Sequence, residues 1–176
     1  MENQEPSIKK IALNYGILLA LLSIVTQVIS YVLDVHVDRP WWLTVLQLVI
    51  SIGVVVMGLN AFRSANQGYL TLVQALKIGV AISLIAGVIA VLFNYIFMNY
   101  IDPDYIQKAM DFSREQMLNQ NPDMSQEQID MAMNMSSKLM TPVIMAAFSL
   151  ISSLFFGFII SLIAGLILKR NPPKPF

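Results

Sequence analysis

Asp34, His36 and Asp38 alternate along a short connection, and in an extended stretch all three side chains would point one way, as the ligands of a divalent cation do. Two valines interleave them, however, and His36 is the only His in a 176-residue chain that also lacks Cys. Nucleophilic and acid/base catalysis therefore have few groups to draw on. The plainer reading is a solvated loop with Asp38 near Arg39, in a protein that is not an enzyme and carries no metal or other cofactor. The methionines offer a second chemistry, because seven of the 11 (Met110, Met117, Met124, Met131, Met133, Met135 and Met140) fall in one hydrophilic stretch. Thioethers suit Cu(I), but they are equally adaptable apolar contacts. No His or Cys accompanies them, and the alternation of Met131, Met133 and Met135 spreads those three around a helix. Ordinary packing, contact with a partner or lipid, and copper binding stand in that order, with Met110, Met117, Met131, Met133 and Met135 as the partner surface if there is one.

Uncharged polar residues form a third pattern. Gln27, Gln47, Asn94 and Ser149 each lie seven or eight positions inside an apolar run, counted from the same end of the molecule. At 1.5 Å per helical residue that is a common depth of roughly 10 Å. The four are either a polar binding cluster or interhelical hydrogen bonds of about 0.6 kcal/mol each, the latter being the more ordinary. Ser149, Ser153, Gly157, Ser161 and Gly165 follow one another at spacing four, and Gly79, Ser83 and Gly87 repeat the pattern elsewhere. Small residues in such a stripe let two helix backbones approach closely. The two stripes are read as one seam inside a single chain, with contact between two copies as the alternative.

These residues need elements to hold them, and the composition sets the kind. The chain is 56% hydrophobic and 12% charged, and its charges sit outside four apolar runs, residues 11–33, 41–62, 78–100 and 142–168. Each run exceeds the roughly 20 residues that cross a bilayer, and none shows the alternation of a barrel strand. The expectation is an all-α integral membrane four-helix bundle, one domain over 1–176, whose first partner is the lipid bilayer. No run contains an ionisable Asp, Glu, Lys, Arg or His, which argues against ion-coupled transport. With net charge zero and no basic cluster, nucleic acid is excluded as a partner.

Seven of the 11 basic residues (Lys9, Lys10, Arg63, Lys77, Lys169, Arg170 and Lys174) belong to the side that holds both termini. That side is expected to be cytoplasmic. Trp41, Trp42, Tyr31, Tyr100 and Tyr105 mark the opposite boundary. The connection at 63–77 turns at Asn66, Gln67 and Gly68, then runs either as an interfacial elbow or as an early start of the third span. In 102–141, Asp102 and Pro103 read as N-cap and first helical residue, and Ser125 with Gln128 as a capping box. An extramembrane amphipathic helical hairpin follows. Thr141 and Pro142 either start the fourth span or kink a continuous helix.

The stretch Phe62-Arg63, Gly68-Tyr69-Leu70, Gln74 to Gly79, and then Tyr100-Ile101-Asp102-Pro103-Asp104, together with Lys10, Tyr15 and Gly16, resembles the bacterial domain of unknown function 4199 family of small four-span membrane proteins. The resemblance implies a bacterial inner-membrane protein and no catalytic residue, ligand or activity. Two functions then compete. One is an interaction or accessory protein presenting the acidic, Met-rich hairpin to a protein partner on the outer face, with homo-oligomers also open. The other is a small-solute transporter or channel component that uses the polar cluster; a water-accessible cavity lined by Gln27, Gln47 and Asn94 would favour it over a dry core.

Overall fold

Helix starts are written locally. Ser7 accepts a hydrogen bond from the Lys10 amide, and Thr71 and Ser125 form reciprocal capping boxes with Gln74 and Gln128. In the computed structural model, which describes residues 6–172, these caps open α1 (Ile8–Val32), α3 (Leu72–Ile96) and α5 (Gln126–Leu139). The others are α2 (Trp41–Ala65), α4 (Tyr105–Gln120) and α6 (Pro142–Leu168). Lys174, counted above among the basic residues, lies outside the described residues. Six α-helices and no strand are formed among the described residues, and four helices are long and apolar enough to cross a membrane.

The stretch after Gly68 is an early start of the third span: α3 begins at Leu72, before Lys77, because the Thr71 and Gln74 box satisfies the first free amides there. Gly68, at φ 84°, supplies the left-handed residue of the preceding turn. Leu70 then pairs its backbone with Arg170, whose guanidinium lies over the Tyr69 ring at 5.8 Å, so this turn is tied to the end of α6. Thr141 is an extended N-cap with Pro142 just inside α6, so the fourth span starts afresh. The start of α4 departs from expectation. Its N-cap is Asp104, and Asp102 is not a cap, because the Asp102 side chain is engaged elsewhere.

α3 is the central helix, packed along α1 on one side and α6 on the other, while α2 lies mainly on α1 and meets α6 only weakly. Burial is uneven along the bundle. The core (Ala12, Leu19, Ala20, Val54, Val55, Leu59, Phe62, Ala75, Ile78, Ile82, Ile160, Ala164) belongs to the half that carries the termini. Gly16, Gly58, Gly79, Gly157 and Gly165 stand at the close approaches there. Towards the other end Gln27, Gln47, Asn94 and Phe156 stand among the small residues, and a space opens between the helices. The outer surface is apolar, with Val49 60%, Leu92 61%, Ile151 65% and Ile167 77% exposed, a belt that fits lipid and would be an aggregation surface in water.

The seam lies between α3 and α6 of one chain. A Cβ on Gly79 would fall on Ser161, one on Gly157 would fall on Ser83, and one on Gly87 would meet Ser153 at 3.0 Å. Ser153 Oγ also donates to the Ser83 carbonyl at 2.8 Å. Ser149, at the end of the stripe, leaves the seam and faces the space between the parted helices.

Candidate functional site

Where the helices part, they leave a half-open cavity of about 840 Å³ lined from all four long helices. Gln27 Nε2 donates to Asn94 Oδ1 at 2.9 Å, joining α1 to α3. Gln47 Nε2 donates to Ser23 Oγ at 2.8 Å, joining α2 to α1. With Ser149 from α6, these groups form one polar tier on the cavity wall. The structure therefore brings together the four residues that share a depth, and three of them, Gln27, Asn94 and Gln47, also act in interhelical ties.

A carboxamide offers one acceptor oxygen and two N–H donors, so each tie leaves capacity over. Among the described residues, His36 Nδ1 is the one buried side-chain polar atom without a partner. The remaining amide atoms of Gln27, Gln47 and Asn94 are therefore satisfied or open to the cavity. Below the tier the floor is mainly apolar, with Leu19, Ala86 and Ile160 beside Ser83 and Ser153, the Ser153 hydroxyl being bonded to backbone. At the mouth stand Arg39 and Tyr105. The size is within the range of about 300–1,000 Å³ that encloses a small organic molecule.

Above the mouth, the loop is solvated at Asp34, Asp38 and Arg39, as expected, but not at His36. His36 is 4% exposed and Asp102 3%, and His36 Nε2 lies 2.8 Å from Asp102 Oδ2. Lys108 Nζ donates to Asp102 Oδ1 at 2.7 Å. Asp34 and Asp38 stay exposed, and among the described residues no three His, Cys, Asp or Glu converge. The alternation was therefore misleading: the loop is folded into turns, with Val35 N bonded to Ser30 O and Arg39 N to Val35 O, and His36 turns inward alone. There it meets Tyr31 at 5.0 Å, Phe97 at 6.2 Å and Tyr105, stacked, at 6.0 Å.

The end of α3 makes this possible. Five residues of regular α-helix would leave Phe97 and Asp102 about 140° apart around the axis. Residues Phe97–Ile101 instead form a π-helical turn, closed by Asp102 N to Phe97 O at 2.8 Å, which widens the turn and brings both residues to the same side. Contacts 66 residues apart in sequence thus depend on one irregular turn.

Burial opposes a charge on Asp102, but the hydrogen bonds of Lys108 and His36 outweigh it and hold the carboxyl below its ordinary value of 3.8. Lys108 is raised above its ordinary 10.5 by the same bond. A depressed carboxyl stabilises the fold fully above its unfolded value and loses that contribution as pH falls towards the folded one. The difference in unfolding midpoint between the wild type and Asp102→Asn is expected to hold steady from neutrality down to about pH 3.8 and to shrink below it. An undiminished difference at much lower pH would mean that the carboxylate is not what the pair contributes.

The methionines divide. Met110, Met117 and Met133 are half-buried in the α4–α5 hairpin, which also buries Ile129. Met131 and Met135 are each 63% exposed. Arg114 bridges the two helices to Asp130 at 3.3 Å and to Gln126 at 3.4 Å. Sequence reasoning missed Arg39 at the mouth and the burial of His36; the half-buried valines 35 and 37 beside His36 were the one local hint.

No curated protein and no solved structure matches this chain. The family described as "Protein of unknown function (DUF4199)" matches it over residues 14–170, nearly the whole length. The chain, a bundle of four bilayer-length apolar helices around a mainly apolar cavity with one polar tier, belongs to that family.

Proposed function

We propose that this protein is a multi-pass membrane protein that takes a small molecule into the cavity between its parted helices, as the binding component of a small-molecule pathway, and is not an enzyme. The observation that carries this reading is the convergence of Gln27, Gln47 and Asn94 on one cavity wall. Apolar walls with a few convergent polar groups are the usual composition of a ligand site, and the carboxamides keep donors and acceptors beyond those used in their two interhelical ties. The cavity is closed towards the termini by Val55, Leu59, Phe62 and Ile82, so the arrangement is that of a chamber and not of a pore. The excess of basic residues on the terminal side supports an inner-membrane orientation with that side cytoplasmic and the chamber towards the outside.

The chain has no Cys, so single-Cys variants report cleanly. Ser149→Cys is expected to react with a membrane-impermeant maleimide added from the hairpin side, and Ser161→Cys, which is fully buried in the seam, is not. Equal silence at both positions means a dry core and ends the proposal. Gln47→Leu should leave the fold intact, since one tie is worth about 0.6 kcal/mol, and should weaken any ligand that protects Ser149→Cys.

A second reading rests on α5, where Met131, Met135 and Leu139 are 63%, 63% and 58% exposed at helical spacing. Such a stripe suits a protein or lipid contact of the hairpin. A photo-crosslinker at position 131 that captures only lipid or solvent in intact cells removes the protein partner.

A further inference from the structure

The chamber has a side opening as well as a mouth. Its lining includes Leu48 on α2 and Phe148 and Phe156 on α6, yet these same residues are 43%, 65% and 53% exposed on the lipid-facing belt. α1 packs on α2 and α3, and α3 on α6, whereas α2 and α6 meet weakly. The gap is thus a slot between α2 and α6 with apolar lips, in the half of the bundle away from the buried core. A hydrophilic solute gains nothing from a slot that faces hydrocarbon; a chain-bearing molecule gains a route.

At the top of this space stands Arg39. It is exposed, lines the mouth, and is held just ahead of Trp41 and Trp42, which are 77% and 41% exposed. Exposed Trp at a span end marks the headgroup level. Among the described residues the ion pairs are His36–Asp102, Lys108–Asp102 and Arg114–Asp130. Arg39 is in none of them and has its planar fork free for a carboxylate or phosphate. Below it come the uncharged amide and hydroxyl tier and then the mainly apolar floor with Leu19, Ala86 and Ile160. Read downwards, the chamber presents a cation, neutral hydrogen-bonding groups and hydrocarbon, in the order in which an amphiphile presents its anionic head, its hydroxyl or ester groups and its chain.

We propose that the ligand is a single-chain amphiphile with an anionic head, entering from the bilayer through the slot between α2 and α6, its head held by Arg39 and its hydroxyl or ester groups by Gln27, Gln47 and Asn94. This rests on the chamber being a binding site, as proposed above, and adds the class of ligand and its route.

The test uses the full chain in nanodiscs and three probes: a lysophosphatidic acid, the monoacylglycerol of the same chain length, and glycerol 3-phosphate. Binding is read by native mass spectrometry and by protection of Ser149→Cys from maleimide. The lysophosphatidic acid should bind about tenfold or more tighter than the monoacylglycerol, and glycerol 3-phosphate should not bind. Arg39→Gln, an exposed substitution that leaves the core untouched, should remove the preference for the charged head while keeping the monoacylglycerol affinity. Ser152→Trp, at the lip of the slot, should slow loading of both chain-bearing probes. Glycerol 3-phosphate binding as well as its acylated form overturns the amphiphile but leaves the chamber a binding site. Equal affinity for charged and neutral chains in the wild type overturns the role of Arg39 and with it the anionic class. If no probe binds and Ser149→Cys reacts freely, the amphiphile falls and the chamber reading stands; if Ser149→Cys is also silent, both fall.

Discussion

Gly157→Leu is expected to destabilise the bundle by about 3 kcal/mol, near the upper end of what overpacking a filled interior usually does. A Cβ at this position would already coincide with the Ser83 side chain, and the Gly79 carbonyl lies 3.3 Å from it, so the obstacle includes backbone that cannot rotate away. The only relief is to push α3 and α6 apart, and that would undo the neighbouring contacts of Gly79 with Ser161 and of Gly165 with Ala75. Gly53→Leu on α2 is the control, since nothing lies within 4 Å of the Cβ it would add. Unfolding in mixed micelles followed by helix signal, with native mass measurement beside it, separates the alternatives. Loss of stability in a species of unchanged mass is the expected result. A dimer that falls apart into monomers of wild-type stability would place the stripe between copies and overturn the intramolecular seam. Because Ser83, Gly87, Ser153 and Gly157 also line the chamber, the same substitution should abolish ligand protection of Ser149→Cys.

Asp102→Ala should be the next most damaging change, at about 2 kcal/mol. Removing one partner of a buried pair strands the other, and here His36 would be left with both ring nitrogens unpaired, since Nδ1 already lacks a partner. The figure sits below that of a fully enclosed pair because Lys108 reaches the carboxylate from the solvent side. The damage should be local. Backbone amide exchange is expected to rise in the loop 34–39 and at the root of α4, with little change at the seam. His36→Phe keeps the aromatic contacts with Tyr31, Phe97 and Tyr105 and removes the orphan nitrogen, so it should be milder than Asp102→Ala. If exchange in the loop is the same in the wild type and in Asp102→Ala, the pair does not hold the mouth of the chamber.

Much of the fold was legible because its causes are local. Apolar length alone marks four helices long enough to cross a bilayer, and Ser125 with Gln128 announces α5. The Thr71-x-x-Gln74 box is equally local and decides for the early start of α3, ahead of the uninterrupted apolar run from Ile78. Asp102-Pro103 misled for the opposite reason. Its residue types are those of a cap, yet the carboxylate has a stronger use 66 residues back, at His36. Nothing in the spacing of either residue points to the other, because the π-helical turn that aligns them is itself a product of packing.

The candidate site divides along the same line. That Gln27, Gln47, Asn94 and Ser149 lie at one depth follows from the sequence, since helical rise turns position into height. The pairing of the small-residue stripes on α3 and α6 was also within its reach, because only small side chains allow such approach. What the four polar residues surround was decided by tertiary structure alone. The helices close around the Gly and Ser contacts of α3 with α6 and part between α2 and α6, and the size of the resulting space depends on crossing angles that no single helix encodes. The position of Arg39 over the mouth and the burial of His36 have the same origin: both depend on how the eight-residue connection 33–40 is held against α3 and α4, a contact between elements far apart in the chain.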